Sequence, residues 1–302
     1  MSQTKNPDSS DLLNSQEIIQ LTSVRPSALM PLWELALGFF LALLFSFFFY
    51  YGYFAQLEND SLDFRFKQRG ELPKNHDVVL VSITDECIAE LGPWPWPREV
   101  HGRLLKTLRS AGTKTVAFDI MFNEPSVLGP QDDAAFQKAI EGFGRVVLPQ
   151  TVQKQTVLDP ETFEMSEKLI IEQPIPQFRK PLSVQGFIDL EYKSLNPDGV
   201  IRKLLLSKKA EERDCFIFGV AAASDYLGID PVIEKSGLRL GDRLLPFYEC
   251  HEPVAGMKVG SYMLNYAGGT RHFDEISYEE VLRGRFRSEE HTSELQSRSV
   301  IS

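Results

Sequence analysis

Hydrophobic positions are distributed along this chain in three ways. Residues 1–28 are polar, rich in Ser, Asn and Gln, with apolar pairs at Leu12-Leu13 and Ile18-Ile19. Such a composition predicts a disordered tail. From Leu35 to Phe54 the run LALGFFLALLFSFFFYYGYF carries no charge over twenty positions, matching the roughly 20 residues needed to cross a hydrocarbon core as helix. Trp33 at one end and Tyr50, Tyr51 and Tyr53 at the other supply interfacial aromatics. A transmembrane helix is therefore assigned to residues 32–54, contacting the lipid bilayer through Leu35 to Phe54. A cleaved signal peptide fits less well, because the run is too long, the preceding tail too extended, and no small-x-small site follows. Beyond it, short apolar runs alternate with segments of helical period.

The most informative of these lies between Val78 and Pro125. Val78-Val79-Leu80-Val81-Ser82-Ile83 and Thr115-Val116-Ala117-Phe118-Asp119-Ile120-Met121-Phe122 read as buried strands. Between them Val100, Leu104, Leu105 and Leu108 recur at three- and four-residue spacing, and Gly112 occupies a helix C′ position. Strand, helix, strand over this length predicts a βαβ unit in a parallel sheet.

Other elements follow in order. Leu57 to Gly70 predicts a juxtamembrane helix, Asp132 to Ile140 a helix, and Arg145 to Pro149 a third strand. Gln153 to Pro181 is polar and proline-punctuated, a surface excursion with room for one hairpin. Val184 to Leu190 and Val200 to Leu206 are strand candidates around the Asn196-Pro197-Asp198-Gly199 turn. Cys215 to Leu227 suits a tightly packed helix, and Leu238 to Phe247 a hairpin about Gly241-Asp242. Ser261 to Tyr266 suits a strand. Tyr278 to Leu282 suits a short helix with a capping box from Ser277 and Glu280. The fold class is α/β: one N-terminal transmembrane helix, then a mixed, mainly parallel sheet with flanking helices.

In such sheets, ligands sit outside the carboxyl ends of the strands. Those ends carry Asp85 after the first strand, and Asp119 and Glu124 after the second. The crossover loop Gly92-Pro93-Trp94-Pro95-Trp96-Pro97-Arg98 is stiffened by alternating prolines. Candidate ligand-binding residues are accordingly Asp85, Trp94, Trp96, Arg98, Asp119 and Glu124. Each has a plainer alternative: Asp85 as a helix cap, the indoles as cover for an apolar sheet edge, and Asp119 with Arg98 as a structural ion pair. Asp132 and Asp133 are read as a solvated helix start.

Several of these segments also carry a resemblance: Ser61-Leu62-Asp63-Phe64-Arg65, Ile83-Thr84-Asp85, Trp94-Pro95-Trp96-Pro97-Arg98, Ala117 through Pro125, and Asp132-Asp133-Ala134-Ala135-Phe136. Later matches are Asn196 through Arg202, Asn265-Tyr266-Ala267-Gly268-Gly269, Ile276-Ser277 and Val281-Leu282. Together they resemble the CHASE2 domain, from about Leu57 to Phe286. The resemblance implies an extracytoplasmic sensor at the front of a bacterial membrane receptor, commonly an adenylate or guanylate cyclase or a kinase. It sets the sensor domain at 57–286. Residues 287–302, RSEEHTSELQSRSVIS, match nothing the resemblance predicts and are set apart as a non-native-looking tail, so the chain reads as a receptor front end truncated before its output domain.

Composition narrows the function classes. With 32 basic and 42 acidic residues the net charge is −10, and no concentrated basic face suits nucleic acid. Cys87, Cys215 and Cys250 are widely spaced, without CxxC; one bridge among them is allowed. His76, His101, His251 and His272 show no metal-ligand spacing, so neither metal nor cofactor is implied. Arg65, Lys67 and Arg69 favour a cytoplasmic carboxyl side. The resemblance implies the reverse, and it is followed because a long folding domain translocates as a unit.

The reading is a sensor in the bacterial inner membrane with a periplasmic or extracellular domain, recognising an unknown small ligand or envelope protein, with a homodimer expected. The fragment itself is not read as an enzyme. The alternatives are a carboxylate- or metal-dependent hydrolase using Asp85, Asp119 and Glu124, and an envelope scaffold. The hydrolase lacks a G-x-S-x-G elbow, a P-loop, an HExxH motif or a Cys/His pair.

Overall fold

The computed structural model describes residues 32–158, 165–179, 181–190, 198–210, 213–251, 259–285 and 299–301. The tail at 1–28, the Asn196-Pro197 half of the predicted turn and most of 287–302 lie outside these. The chain divides into two units, Met1–Gly70 and Glu71–Ser302.

In the first unit, helix α1 (Leu32–Tyr50) carries one acidic residue, Glu34, and buries none of its side chains. Its nineteen residues span about 28 Å at 1.5 Å per residue, long and apolar enough to cross a membrane. It ends four residues before the predicted limit. Gly52 adopts a left-handed φ of 74°, which glycine accepts without a Cβ penalty, and a new helix α2 (Tyr53–Arg69) starts there. Across the turn the Phe45 and Phe54 rings stack at 6.1 Å and Phe48 meets Tyr53 edge to face at 5.3 Å.

The second unit is built on a seven-stranded sheet. Its strands are β1 (Val78–Ser82), β2 (Thr115–Ala117), β3 (Val146–Leu158), β4 (Met165–Glu172) and β5 (Val184–Phe187), with two more from the end of the chain. Three small sheets flank it: β6 (Lys203–Leu205) with β12 (Glu249–His251) and β13 (Val259–Met263); β7 (Ser207–Ala210) with β8 (Arg213–Phe216); and β9 (Val232–Glu234), β10 (Gly237–Leu240) and β11 (Arg243–Pro246). The late strands of the main sheet are β14 (Asp274–Ser277) and β15 (Ser299–Ile301). The order is β14-β1-β15-β2-β3-β4, with β5 also on β3; every pairing is parallel except β3 with β4.

Placement of β15 differs from the sequence reading. Ser299–Ile301, set apart with the tail, pairs in parallel with Val78–Leu80 on one side and Thr115–Ala117 on the other. Three residues are too few for a periodic signal, so nothing in the pattern marks them as a strand.

Helices α3 (Asp85–Leu91), α4 (Arg98–Ser110), α5 (Pro130–Phe143), α6 (Phe218–Leu227) and α7 (Tyr278–Leu282) complete the unit. Strand alternation sends Val116, Phe118, Val146 and Leu148 into one core, with Leu104, Leu105 and Leu108 of α4 and Phe136 and Ile140 of α5. Ala117 and Val147 enter another with Ala221 and Ala222 of α6. Helices thus cover both faces, as a parallel sheet requires. The capping box at Ser277 and Glu280 is present. At the Asp198-Gly199 turn, Gly199 has φ 80° and Val200 N–H donates to Asp198 Oδ1 at 3.1 Å. The polar stretch does hold one antiparallel pair, β3 with β4, but it is not a surface excursion throughout: Ile175 and Phe178 at its later end are buried in the first core, where they supply the apolar cover that the proline-punctuated pattern hides.

One close approach is decisive for α6. A Cβ on Gly186 of β5 would lie 2.7 Å from Phe218 Cα and 2.8 Å from Ala221 Cβ, so only glycine lets the helix rest on the strand. Gly186→Ala is expected to lower stability by about 1–3 kcal/mol, read as an earlier midpoint in chemical denaturation of the full chain in detergent. An unchanged midpoint would show that α6 yields freely.

Candidate functional site

Helix α4 begins at Arg98 directly after Pro97, whose side chain has no oxygen to cap it. The free amides are capped from elsewhere. Arg98 N–H donates to Asp132 Oδ2 at 2.9 Å and Glu99 N–H to Asp132 Oδ1 at 3.0 Å. A carboxylate here also meets the positive end of the α4 dipole. Ser126 Oγ donates to Asp132 Oδ2 at 2.6 Å, and Ser126 N–H is shared by the two Asp133 oxygens at 3.3 and 3.2 Å.

Between these carboxylates the Arg98 side chain is buried. Its Nη1 lies 3.0 Å from Asp133 Oδ1, an ion-pair distance without hydrogen-bond alignment, and its Nη2 donates to the Glu124 carbonyl. The guanidinium carbon sits 5.3 Å from the Phe122 ring centre and 5.2 Å from that of Phe178. Burial lowers the Arg98 pKa, and the Asp133 and Asp132 charges oppose this. Burial pushes the Asp132 carboxyl up, but the bonds from Ser126, Arg98 and Glu99 and the Arg98 charge bring it below its ordinary value.

This geometry corrects the predicted partner of Arg98. Asp119 is exposed in the segment after β2, and the carboxylate that pairs with Arg98 belongs to Asp133, 3% exposed. Asp133 is therefore not part of a solvated helix start. The physical reason is that 118–129 folds back along the sheet end, bringing the first turn of α5 against the first turn of α4. Glu124 contributes its carbonyl, while its side chain is exposed. Asp85 does not cap α3 either. Thr84, the last extended residue, accepts from Cys87 N–H at 3.4 Å, and Asp85 sits exposed in the first turn.

The two indoles separate. Trp96 is buried and donates Nε1–H to the Gly92 carbonyl at 2.8 Å; Trp94 remains 42% exposed and contacts Trp96 edge to face at 5.2 Å. Beneath them His101 Nδ1 lies 2.7 Å from the Tyr278 hydroxyl, ringed by Phe118, Phe122 and Phe136. Burial, with the nearby Arg98 charge adding to it, holds His101 down at about 4, so it is neutral at pH 7. Assigning the hydroxyl as donor leaves Nε2 protonated. Burial pushes the Tyr278 phenol up and keeps it neutral. Chemically, this constellation is a lock joining α4, α5, α7 and the segment after β2. Asp85, Asp119 and Glu124 are not gathered around a common centre, and among the described residues no group of three or more His, Cys, Asp or Glu is placed to hold a metal ion.

Open space lies elsewhere. A cleft of ≈ 470 Å³ runs beside α6, β3, β5 and β8, lined in part by Gln150, Gln173, Gln185, Arg213, Asp214 and Asp230. None of these was singled out by the sequence, since neutral amides scattered over three elements form no motif. The family model for the CHASE2 domain matches residues 38–301. No curated protein and no solved structure matches the chain.

Proposed function

Because the chain belongs to the CHASE2 domain family, a family of extracytoplasmic sensor domains, we propose that it is the membrane-anchored sensory front of a signal-transduction receptor. In this reading α1 anchors the chain in the inner membrane. The α/β unit binds a small ligand outside the cytoplasm, and a second copy pairs with it. An output domain, a cyclase or a kinase, lies outside these 302 residues. The observation that carries the reading is α1 itself: nineteen residues, one acidic, none buried, within 30 residues of the start of the sensor unit at Glu71. Leaving that surface in water would be costly, and a bilayer removes the cost.

Orientation is tested with Ser9→Cys and Lys235→Cys chains and a membrane-impermeant thiol reagent on intact cells, against the parent chain as background. Lys235 is exposed between β9 and β10. Labelling at 235 and not at 9 until the cells are permeabilised is the expected result. The reverse pattern would place the α/β unit in the cytoplasm and overturn the sensor reading in favour of the charge asymmetry.

A further inference from the structure

Residues 71–77, which lead into β1, lie against residues 267–274, which lead into β14. We propose that a pH-sensitive clasp joins these two segments, closing as His272 and His76 take up protons and loosening as they lose them. This goes beyond the sensor reading and stands apart from it. At the centre Leu72 N–H donates to the Ala267 carbonyl at 2.7 Å, a bond that no side-chain titration alters. A histidine–carboxylate contact flanks it on either side. Glu71 Oε1 accepts from Gly269 N–H at 3.3 Å, and its Oε2 lies 3.7 Å from His272 Nδ1. At the other end His76 Nδ1 lies 2.8 Å from Asp274 Oδ2, and Lys74 Nζ lies 3.6 Å from Asp274 Oδ1.

His272 is the responsive member. Its side chain is 3% exposed, and its buried Nδ1 has no hydrogen-bond partner among the described residues. The ring is held in that position. A Cβ on Gly268 would collide with it, the Phe273 ring meets it edge to face at 5.4 Å, and Arg271 turns the chain towards it at a left-handed φ of 71°. That conformation is costly for a residue other than glycine, and the surrounding contacts must maintain it. A buried nitrogen without a partner is also costly, and here the Glu71 carboxylate faces it just beyond hydrogen-bond reach. A neutral ring protonated at Nε2 turns a lone pair towards that carboxylate. A doubly protonated ring turns an N–H towards it, which supplies both the hydrogen bond and the ion pair. Burial of the ring opposes the charge. Glu71, however, is 64% exposed, so its flexible stem is free to close the remaining fraction of an ångström. His76 is exposed and adds a weaker pair of the same sign, partly offset by Lys74 on the same carboxylate. Imidazole is the side chain suited to such a response between about pH 5 and 8.

The test is hydrogen exchange of the full chain in detergent micelles at about pH 5.5 and about pH 8, with exchange times scaled for the intrinsic rate at each pH. The Leu72 and Gly269 amides report the clasp, and the Val79 to Val81 amides of β1 report global stability. Protection at Leu72 and Gly269 should be about three- to tenfold greater at the lower pH, with no such gain in β1. The double variant Glu71→Gln, His76→Gln changes two exposed side chains and keeps an acceptor for Gly269 N–H. It should melt at the parent's temperature at about pH 8 and lose the acid gain. His272→Gln, at the buried position, should lose the gain at Gly269 as well. Equal or weaker protection of the clasp amides in acid, or an acid gain that survives the double variant, would overturn the proposal. Neither result depends on which side of the membrane the α/β unit occupies, so this inference and the sensor reading fail separately.

Discussion

Asp133→Ala is expected to cost about 3–5 kcal/mol of folding stability, the range for removing one partner of a buried ion pair. The Arg98 side chain is 11% exposed and that of Asp133 5%, so water cannot replace the lost carboxylate. Ser126 N–H would lose both acceptor oxygens as well. Asp133→Asn should cost less, because an amide oxygen still accepts from Ser126. The double variant Arg98→Met, Asp133→Leu should recover much of the loss, since two packed apolar chains between Phe122 and Phe178 remove the stranded charge. Denaturant midpoints of the full chain in detergent measure all three. A single variant that loses less than about 1 kcal/mol would show Arg98 reaching water and would end its description as a buried lock.

Acidification is expected to weaken the same region through His101. Its folded pKa is depressed from 6.5 to about 4, so in the folded state the ring resists a proton that the unfolded chain accepts. The contribution is therefore complete above about pH 6.5, declines as pH falls toward about 4, and is then fully lost, on the order of 3 kcal/mol in total. Facing the ring are Tyr278 from α7, Arg98 from its own helix and Asp132 from α5. The lowered Asp132 carboxyl acts in the same direction at more acidic pH, since it too must be protonated as the fold is lost. His101→Gln keeps a polar atom for Tyr278 and removes the titration. Stability measured between pH 4 and 7 should slope for the parent and flatten for the variant. Equal slopes would assign the acid sensitivity to carboxylates alone.

Sequence patterning reached the α/β architecture through elements whose burial is regular. Val100, Leu104, Leu105 and Leu108 mark the buried stripe of α4, and Val116 and Phe118 the inward face at β2. It stopped where a contact depends on a loop's path. Asp119 follows a buried strand and precedes apolar residues, so it reads as the buried acid, while Asp132-Asp133 at a helix start reads as solvated. The fold-back of 118–129 exchanges those roles, and no local pattern records it. Likewise β3 runs on past Pro149 to Leu158 because its second half pairs with β4 instead of β2 and β5. That half is polar, so its alternation is muted. Trp96 and Arg98 are legible as important, and both enter an aromatic and ionic junction.

The position of β15 also bears on how the molecule assembles in time. Its two neighbours come early in the unit and its own three residues late, so the middle of the sheet closes by joining the most distant parts of the unit. Contacts of such long sequence separation form slowly, because a large loop must be ordered before they return any stabilisation. Until then β1 and β2 expose facing unpaired edges, each able to pair with an extended segment of another chain. A nascent chain held short of residue 299 would therefore remain open at its centre.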